Sequence, residues 1–374
     1  MSPAILSSDS IETPAASFPE VHIPREKKAG LRTISLYQLQ AGSASERNLL
    51  LETCMSDGFF YLDLTHPNFS SLLDVVNATF NCSKELFNYS PEIKGLFDVD
   101  KISDLKVNGY KPKGRNVVSN GKDGKNDGFE SWVFPRNGIF HLSNEPFPHP
   151  PVIAKHLPDI SGLIGGLSSA ANTILSSLSD TLSLPAGQRL EDFQGLNRPS
   201  PDILRVLKYH ANSNTDVIPQ TPHTDLGSLT FVFSTTPGLQ VLPPGVQQTP
   251  GASSESDWLY VEPRPGHAIV NIGDCITIMT NGVLKSALHR VGPVTGSAMP
   301  ERYSMAYLMR PEDETVLRAL DSPLIPKSVV VGEDAVTSGT WIRKKFKALR
   351  GQKDAGNMDK ILTGGRGVLE QSVN

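Results

Sequence analysis

Two histidines and an aspartate are the residues whose types and spacing point most directly to chemistry. His223 and Asp225 stand in Gln220-Thr221-Pro222-His223-Thr224-Asp225, just ahead of the apolar run Leu229-Thr230-Phe231-Val232-Phe233. His289 follows much later in Ala287-Leu288-His289-Arg290-Val291. In an extended segment residues i and i+2 share a face, so His223 and Asp225 point the same way. Two neutral imidazoles and one carboxylate on one side of a divalent ion leave coordination positions open, and that donor set suits non-haem Fe(II) working with O2. Taken alone the set is open to other readings. The chain has nine histidines, and His223 as a strand-end histidine or His289 as a core histidine bonded to backbone would look the same. A zinc site is a third reading, but no HExxH-type general base accompanies the set.

A second group sharpens the first. Arg302, Ser304, Ala306, Leu308 and Arg310 alternate along a run from Arg302 to Met309 that reads as a strand, so they share its inward face. A guanidinium beside a hydroxyl holds a carboxylate in bidentate fashion. Arg205, Leu207 and Tyr209 share a face in the same way, and the Tyr209 hydroxyl is placed to donate to that carboxylate. The alternatives are an edge arginine in solvent and an ordinary core tyrosine.

The elements that must position these groups follow from pattern. Residues 1–20, rich in Ser, Pro and Ala, read as a disordered leader, and Val21–Pro24 as a short first strand. Helical spacing runs over 45–57, 69–86 and 150–185, with a strand at 58–64. From residue 203 onward short apolar runs (204–209, 229–234, 239–242, 258–261, 268–272, 276–279 and 303–309) alternate with Pro, Gly, Asn and Asp. That is the texture of many strands in a closed or double sheet. A basic amphipathic helix spans 338–349 and a tail 355–374. Residues 115–128 and 243–257 read as loops.

Bulk properties narrow the setting. The 374 residues are 38% hydrophobic and 20% charged, enough for a sizeable core. A net charge of -4 argues against a nucleic-acid surface. Three cysteines without CxxC spacing make no disulfide framework and fit a reduced, cytoplasmic setting. No signal peptide and no membrane-length apolar run is read.

In combination, the ordered motifs resemble the 2-oxoglutarate- and Fe(II)-dependent dioxygenases of the isopenicillin N synthase-like family, over roughly residues 20–350. The motifs are His223-Thr224-Asp225, Gly238-Leu239-Gln240-Val241, Asn271-Ile272-Gly273-Asp274, Asn281-Gly282, His289-Arg290-Val291 and Arg302-Tyr303-Ser304, with Gly58-Phe59-Phe60-Tyr61 and Gly109-Tyr110-Lys111-Pro112 earlier. Met309-Arg310-Pro311-Glu312 and the Trp341–Phe346 segment look like fungal members, many of which modify secondary metabolites. The resemblance implies a mainly β protein with flanking helices, built on a double-stranded β-helix (jelly roll) at 200–350 behind an N-terminal α/β region at 21–185. It implies Fe(II) on His223, Asp225 and His289, 2-oxoglutarate on Arg302, Ser304 and Tyr209, and O2 as the other co-substrate. The expected activity is oxidation of a C–H bond of a small molecule by hydroxylation, desaturation or ring formation. Strand phase and family position together make Tyr110, Arg205, Phe231, Leu308 and Arg310 pocket residues, and two arginines there favour an acidic or carbonyl-rich substrate. Leu207 departs from the Asn of plant relatives. Competing readings are an Fe(II)/O2 oxidase of this fold that uses no 2-oxo acid, and a binding protein of this fold without catalysis.

Overall fold

A computed structural model describes residues 21–103, 106–115, 127–212, 219–243, 257–294, 297–327 and 336–349. Residues 1–20 and the 355–374 segment lie outside these, as do most of the 115–128 and 243–257 segments. Helices gather in the first half: α1 (Leu36–Gln40), α2 (Ala44–Ser56), α3 (Ser70–Phe87), α4 (Pro91–Leu96), α5 (Val99–Ile102), α6 (Arg136–Ile139) and the long α7 (Pro151–Thr181). Local chemistry sets their starts. Ser43 accepts from the Glu46 amide at the head of α2, and Ser90 with Pro91 opens α4. α8 (Asp274–Met279) and α9 (Ser338–Leu349) come late in the chain.

Strands from residue 203 onward divide four and four. β5 (Ile203–Tyr209), β7 (Leu229–Ser234), β10 (His267–Ile272) and β12 (Arg302–Met309) lie in one sheet; β6 (Gln220–His223), β8 (Leu239–Val241), β9 (Leu259–Tyr260) and β11 (His289–Val291) form the other. This is the double-stranded β-helix. β1 (Thr33–Ser35), β2 (Phe59–Asp63), β3 (Gly109–Lys111) and β4 (Phe129–Pro135) extend the first sheet on both sides, giving the order β1-β2-β10-β7-β12-β5-β4-β3. The first half of the chain therefore widens the same sheet that the second half builds.

Side-chain alternation sorts the large sheet into two faces. Leu204, Val206, Phe231, Val270, Met305 and Tyr307 pack into the core shared with α3 and α7. The opposite face carries Arg205, Leu207, Tyr209, Thr230, Ser304 and Ala306, and these line a cavity of about 390 Å³ between the two sheets.

Two sequence expectations change. Ile276–Met279 is helix, not strand: it forms most of α8, with Cys275, Ile276 and Met279 buried along one side. A short apolar run does not distinguish the two by periodicity. The decisive groups are the amides of Asp274 and Cys275, which donate to the carbonyls of Asp225 and Gly227 at 2.8 and 2.9 Å and so satisfy the start of a helix. Val21–Pro24 forms no strand; Ile23 instead packs on Tyr260 and Val294.

A buried ionic cluster joins α4 to the sheet edge. Glu130 accepts from Lys94 Nζ and from the Tyr110 hydroxyl, both at 2.7 Å, and its second oxygen lies 3.2 Å from His210 Nε2. Burial pushes the Glu130 carboxyl up, but the hydrogen bonds from His210, Lys94 and Tyr110 outweigh it and hold the group at about 2. A carboxyl depressed on folding stabilises above its unfolded value of 4.5 and loses that contribution as pH falls towards about 2. Denaturant midpoints should therefore fall steeply between about pH 5 and pH 2. Glu130→Gln should lose roughly 3 kcal/mol at pH 7, because it strands the Lys94 charge, and should show a flatter profile across that acid window.

Candidate active site

The triad assembles where strands end. His223 is the last residue of β6, His289 the first of β11, and the two are paired across the sheet. Asp225 lies two residues past β6, in the turn leading to β7. The ligand atoms of the three residues all lie within 4.8 Å of one another, and Asp225 Oδ1 is 4.0 Å from Nε2 of each histidine. Such spacing accepts one divalent ion near the roughly 2 Å that metal–nitrogen and metal–oxygen bonds need. The far ring atoms are fixed: Nδ1 of His223 contacts the Thr221 carbonyl at 2.8 Å, and Nδ1 of His289 the Ala287 carbonyl at 3.1 Å. An Nδ1–H donated to backbone leaves an Nε2 lone pair facing the centre, the tautomer a metal requires. Asn271 Nδ2 donates to Asp225 Oδ2 at 2.8 Å and leaves Oδ1 free to turn inward.

Protonation agrees with that role. Burial, aided by the neighbouring His289, pulls His223 down to about 3 against the opposing charge of Asp225. Burial pushes Asp225 up, yet His289, His223, Thr230 and Asn271 together bring it down to about 2. A neutral imidazole and an ionised carboxylate are the metal-binding forms.

Arg302 sits at one end of the cavity floor. It is 1% exposed, its Nε donates to the Thr236 carbonyl at 3.1 Å, and its Cζ lies 5.0 Å from the Tyr209 ring. Its Nη1 is buried without a hydrogen-bond partner, and no carboxylate of the described residues forms an ion pair with it. A buried guanidinium with an orphaned N–H calls for an anion. Gly238 keeps the side chain in place: a Cβ there would meet Arg302 Cδ at 3.2 Å, and its φ is +147°. Ser304, two residues along, donates to the Phe233 carbonyl at 3.1 Å. The Tyr209 hydroxyl donates not into open space but to Gln220 Oε1 at 2.6 Å.

Among the expected pocket residues the structure makes distinctions. Arg205 and Leu308 line the cavity. Arg310 also lines it, but its guanidinium is tied to the Pro201 carbonyl and its backbone amide to Asp202. Phe231 does not line it. Thr230 and Val232 take the inward positions of β7, while Phe231 is fully buried on the helical side. Tyr110 lies off the cavity too, its hydroxyl on Glu130 and its ring against Trp132.

Three residues gained a place that sequence reasoning had not given them. Asn271 is one, and Lys345, on α9 behind the triad, is another. The third is Gln220, whose Nε2 contacts His223 Nε2 at 3.2 Å. Strict alternation puts positions 220 and 223 on opposite faces. A bulge, with His289 opposite His223 but Val291 opposite Gln220, brings them to one side.

Comparison with known proteins agrees with this geometry. Residues 200–311 match the 2OG-Fe(II) oxygenase superfamily. The chain is 31% identical to the 2-oxoglutarate-dependent dioxygenase gloE of Glarea lozoyensis, over 92% of this chain and 95% of that one. This chain belongs to the 2OG-Fe(II) oxygenase superfamily. The iboH dioxygenase of Amanita muscaria is 34% identical over 58% of this chain and 97% of its own. In fold, the oxygenase matches a full-length Neurospora crassa protein solved in complex with alpha-KG and thymine, with a TM-score of 0.70 at 21% identity over 87% of this chain and 98% of that one. The protein is a 2-oxoglutarate-dependent dioxygenase, an enzyme that works with Fe(II) and 2-oxoglutarate. No helix among the described residues is long and apolar enough to cross a membrane.

Asn271 holds the ligand carboxylate at the one oxygen the metal does not need. Asn271→Ala should weaken Fe(II) or Mn(II) binding about 10- to 100-fold, read by metal titration of the stripped protein, with far-ultraviolet circular dichroism unchanged.

Proposed function

We propose that the enzyme oxidises an unactivated C–H bond of a small, acidic metabolite, by hydroxylation, desaturation or ring formation. The metabolite is of the secondary kind, in keeping with the similarity to fungal dioxygenases. The observation that carries this reading is a cavity that holds the triad and is lined by arginines, Arg302 and Arg205 foremost, without a carboxylate ion pair among the described residues.

His223, Asp225 and His289 would hold the iron, and Arg302 would take the far carboxylate of 2-oxoglutarate through its orphaned Nη1. Ser304 would join by turning its hydroxyl from the Phe233 carbonyl to the same carboxylate, and Tyr209 through its contact with Gln220 would close that end. Bound iron supplies O2 activation coupled to decarboxylation of the 2-oxo acid. The protein groups position the reacting carbon and keep water out.

Arg205 is the group that recognises substrate. Its Nε and Nη2 lie 3.2 and 3.1 Å from the single hydroxyl of Ser131, and its Cζ lies 5.4 Å from the Phe129 ring. It pairs across the sheet with Ala306, four residues along β12 from the Arg302–Tyr209 pair. Two cationic groups, separated by about 14 Å of strand, line the same cavity as the triad, one for the co-substrate and one for the substrate. Leu207 lies between them along the sheet, Val232 and Leu308 supply apolar wall at the Arg205 end, and Arg310 borders the cavity with one guanidinium nitrogen on the Pro201 carbonyl and its Nε unpartnered.

Anaerobic addition of Fe(II) and 2-oxoglutarate should produce a visible charge-transfer band, and substrate turnover should release succinate one-for-one with product. A folded, iron-loaded protein without the band, or product without succinate, would favour an oxidase that needs no 2-oxo acid. Arg302→Gln should raise the 2-oxoglutarate KM at least tenfold while Fe(II) affinity stays within about twofold. Arg205→Gln should raise KM for a carboxylic-acid substrate by a similar factor and leave KM for its methyl ester nearly unchanged.

A further inference from the structure

Next to the metal triad, outside the cavity lining, lies a charge that the reaction does not use. Lys345 on α9 is fully buried, with 0% exposure. Its ammonium donates to the Thr224 hydroxyl at 2.7 Å and forms a close ion pair with Asp274. Thr224 is the residue between the ligands His223 and Asp225. Asp274 is the first residue of α8, and its backbone amide donates to the Asp225 carbonyl at 2.8 Å. One partner of Lys345 thus stands between the two ligands, and the other opens the helix whose first amides bond the turn that presents Asp225. The next residue on α9, Phe346, lines the cavity and lies 5.6 Å from the Arg310 guanidinium.

We infer that Lys345 is a positioning residue for the iron centre, and that the docking of α9 and the assembly of the metal site are one coupled equilibrium. An ammonium enters a protein interior only with its donors satisfied and its charge matched. Here the satisfying groups are a carboxylate and a hydroxyl fixed on either side of the metal-ligand turn. When α9 is seated, Lys345 fills the space behind Thr224 and fixes the direction of the backbone between His223 and Asp225. When α9 leaves, Thr224 and Asp274 lose their shared donor, and the turn keeps its bonds to α8, Asn271 and Met309 without the brace behind it. The same helix carries Phe346, so seating it also completes one wall of the cavity. The inference rests on the iron-site reading of His223, Asp225 and His289.

Two measurements on the full chain test it. Thermodynamic linkage makes the coupling reciprocal, so Mn(II) added to stripped wild-type protein should slow tryptic cleavage at the exposed Arg343 and Lys344 severalfold. Lys345→Met should bind Mn(II) at least tenfold more weakly by electron paramagnetic resonance of the free ion. Because that variant strands the Asp274 charge and threatens folding, the double variant Lys345→Met with Asp274→Asn removes both charges, and it too should bind at least tenfold more weakly. A folded double variant with wild-type Mn(II) affinity, or a wild-type cleavage rate indifferent to Mn(II), would overturn the inference. Absence of Mn(II) binding by the wild-type protein would instead refute the metal centre, and the inference with it.

Discussion

The contact on which the site depends is between two short backbone segments, not between side chains and a ligand. The turn 225–228 lies directly against the start of α8. The amides of Gly273, Asp274 and Cys275 donate to the carbonyls of Ser228, Asp225 and Gly227 at 2.8–2.9 Å. The approach is so close that a Cβ on Gly273 would meet the Gly227 carbonyl oxygen at 2.2 Å, and one on Gly227 would meet the Met309 carbonyl oxygen at the same distance. Only glycine permits it. The turn caps the helix, and the helix holds the turn. That reciprocal arrangement converts an irregular segment, ordinarily the softest part of a fold, into a rigid mount for the one carboxylate ligand. Asn271, just upstream on β10, then fixes the rotation of that carboxylate.

Charge pairing gives the cavity its direction. Several buried cations around it are already matched: Lys111 with Asp127 at 2.7 Å, Lys94 with Glu130, and Lys345 with Asp274. Arg310 is anchored on a carbonyl. Arg302, Arg205 and Arg310 share one feature: burial weakens the charged form of each, and no ion pair with a carboxylate of the described residues offsets it. Uncompensated charge of this kind is costly to the folded state, and its persistence at three arginines lining one space is the mark of a site built to receive anions. The surrounding wall is apolar, with Leu207, Val232, Leu239 and Val291, so an anion arriving there meets a low dielectric in which a guanidinium pairs strongly.

Strand phase was legible wherever the two faces differ in chemistry. On β12 and β5 the inward positions carry Arg, Ser and Tyr against Met, Tyr and Val outward, and alternation alone assigns them. β7 has apolar residues on both faces, Leu229, Phe231 and Phe233 against Val232, so a one-residue error in phase exchanges them without violating any pattern. That is why Phe231 was placed in the cavity when it belongs to the helical core. Tyr110 was misplaced for a different reason: its partner Glu130 sits on a neighbouring strand, and nothing in either local segment shows that the two meet.

By itself the sequence determined the donor types, the order in which they occur, the alternating faces of β5 and β12, and the long helices, because each is a local consequence of side-chain chemistry and period. Tertiary structure decided what required distant segments to meet. It made a helix of residues 274–279 by supplying carbonyls from a turn far upstream, and it turned Gln220 toward His223 through a bulge set by pairing with β11. It separated Arg205 from Arg310 by giving one the Ser131 hydroxyl and the other the Pro201 carbonyl as partner. It also carried Lys345, on a helix that the sequence shows only as basic and amphipathic, into the core. Burial and pairing are properties of the neighbours that folding brings in, and those neighbours lie far away along the chain.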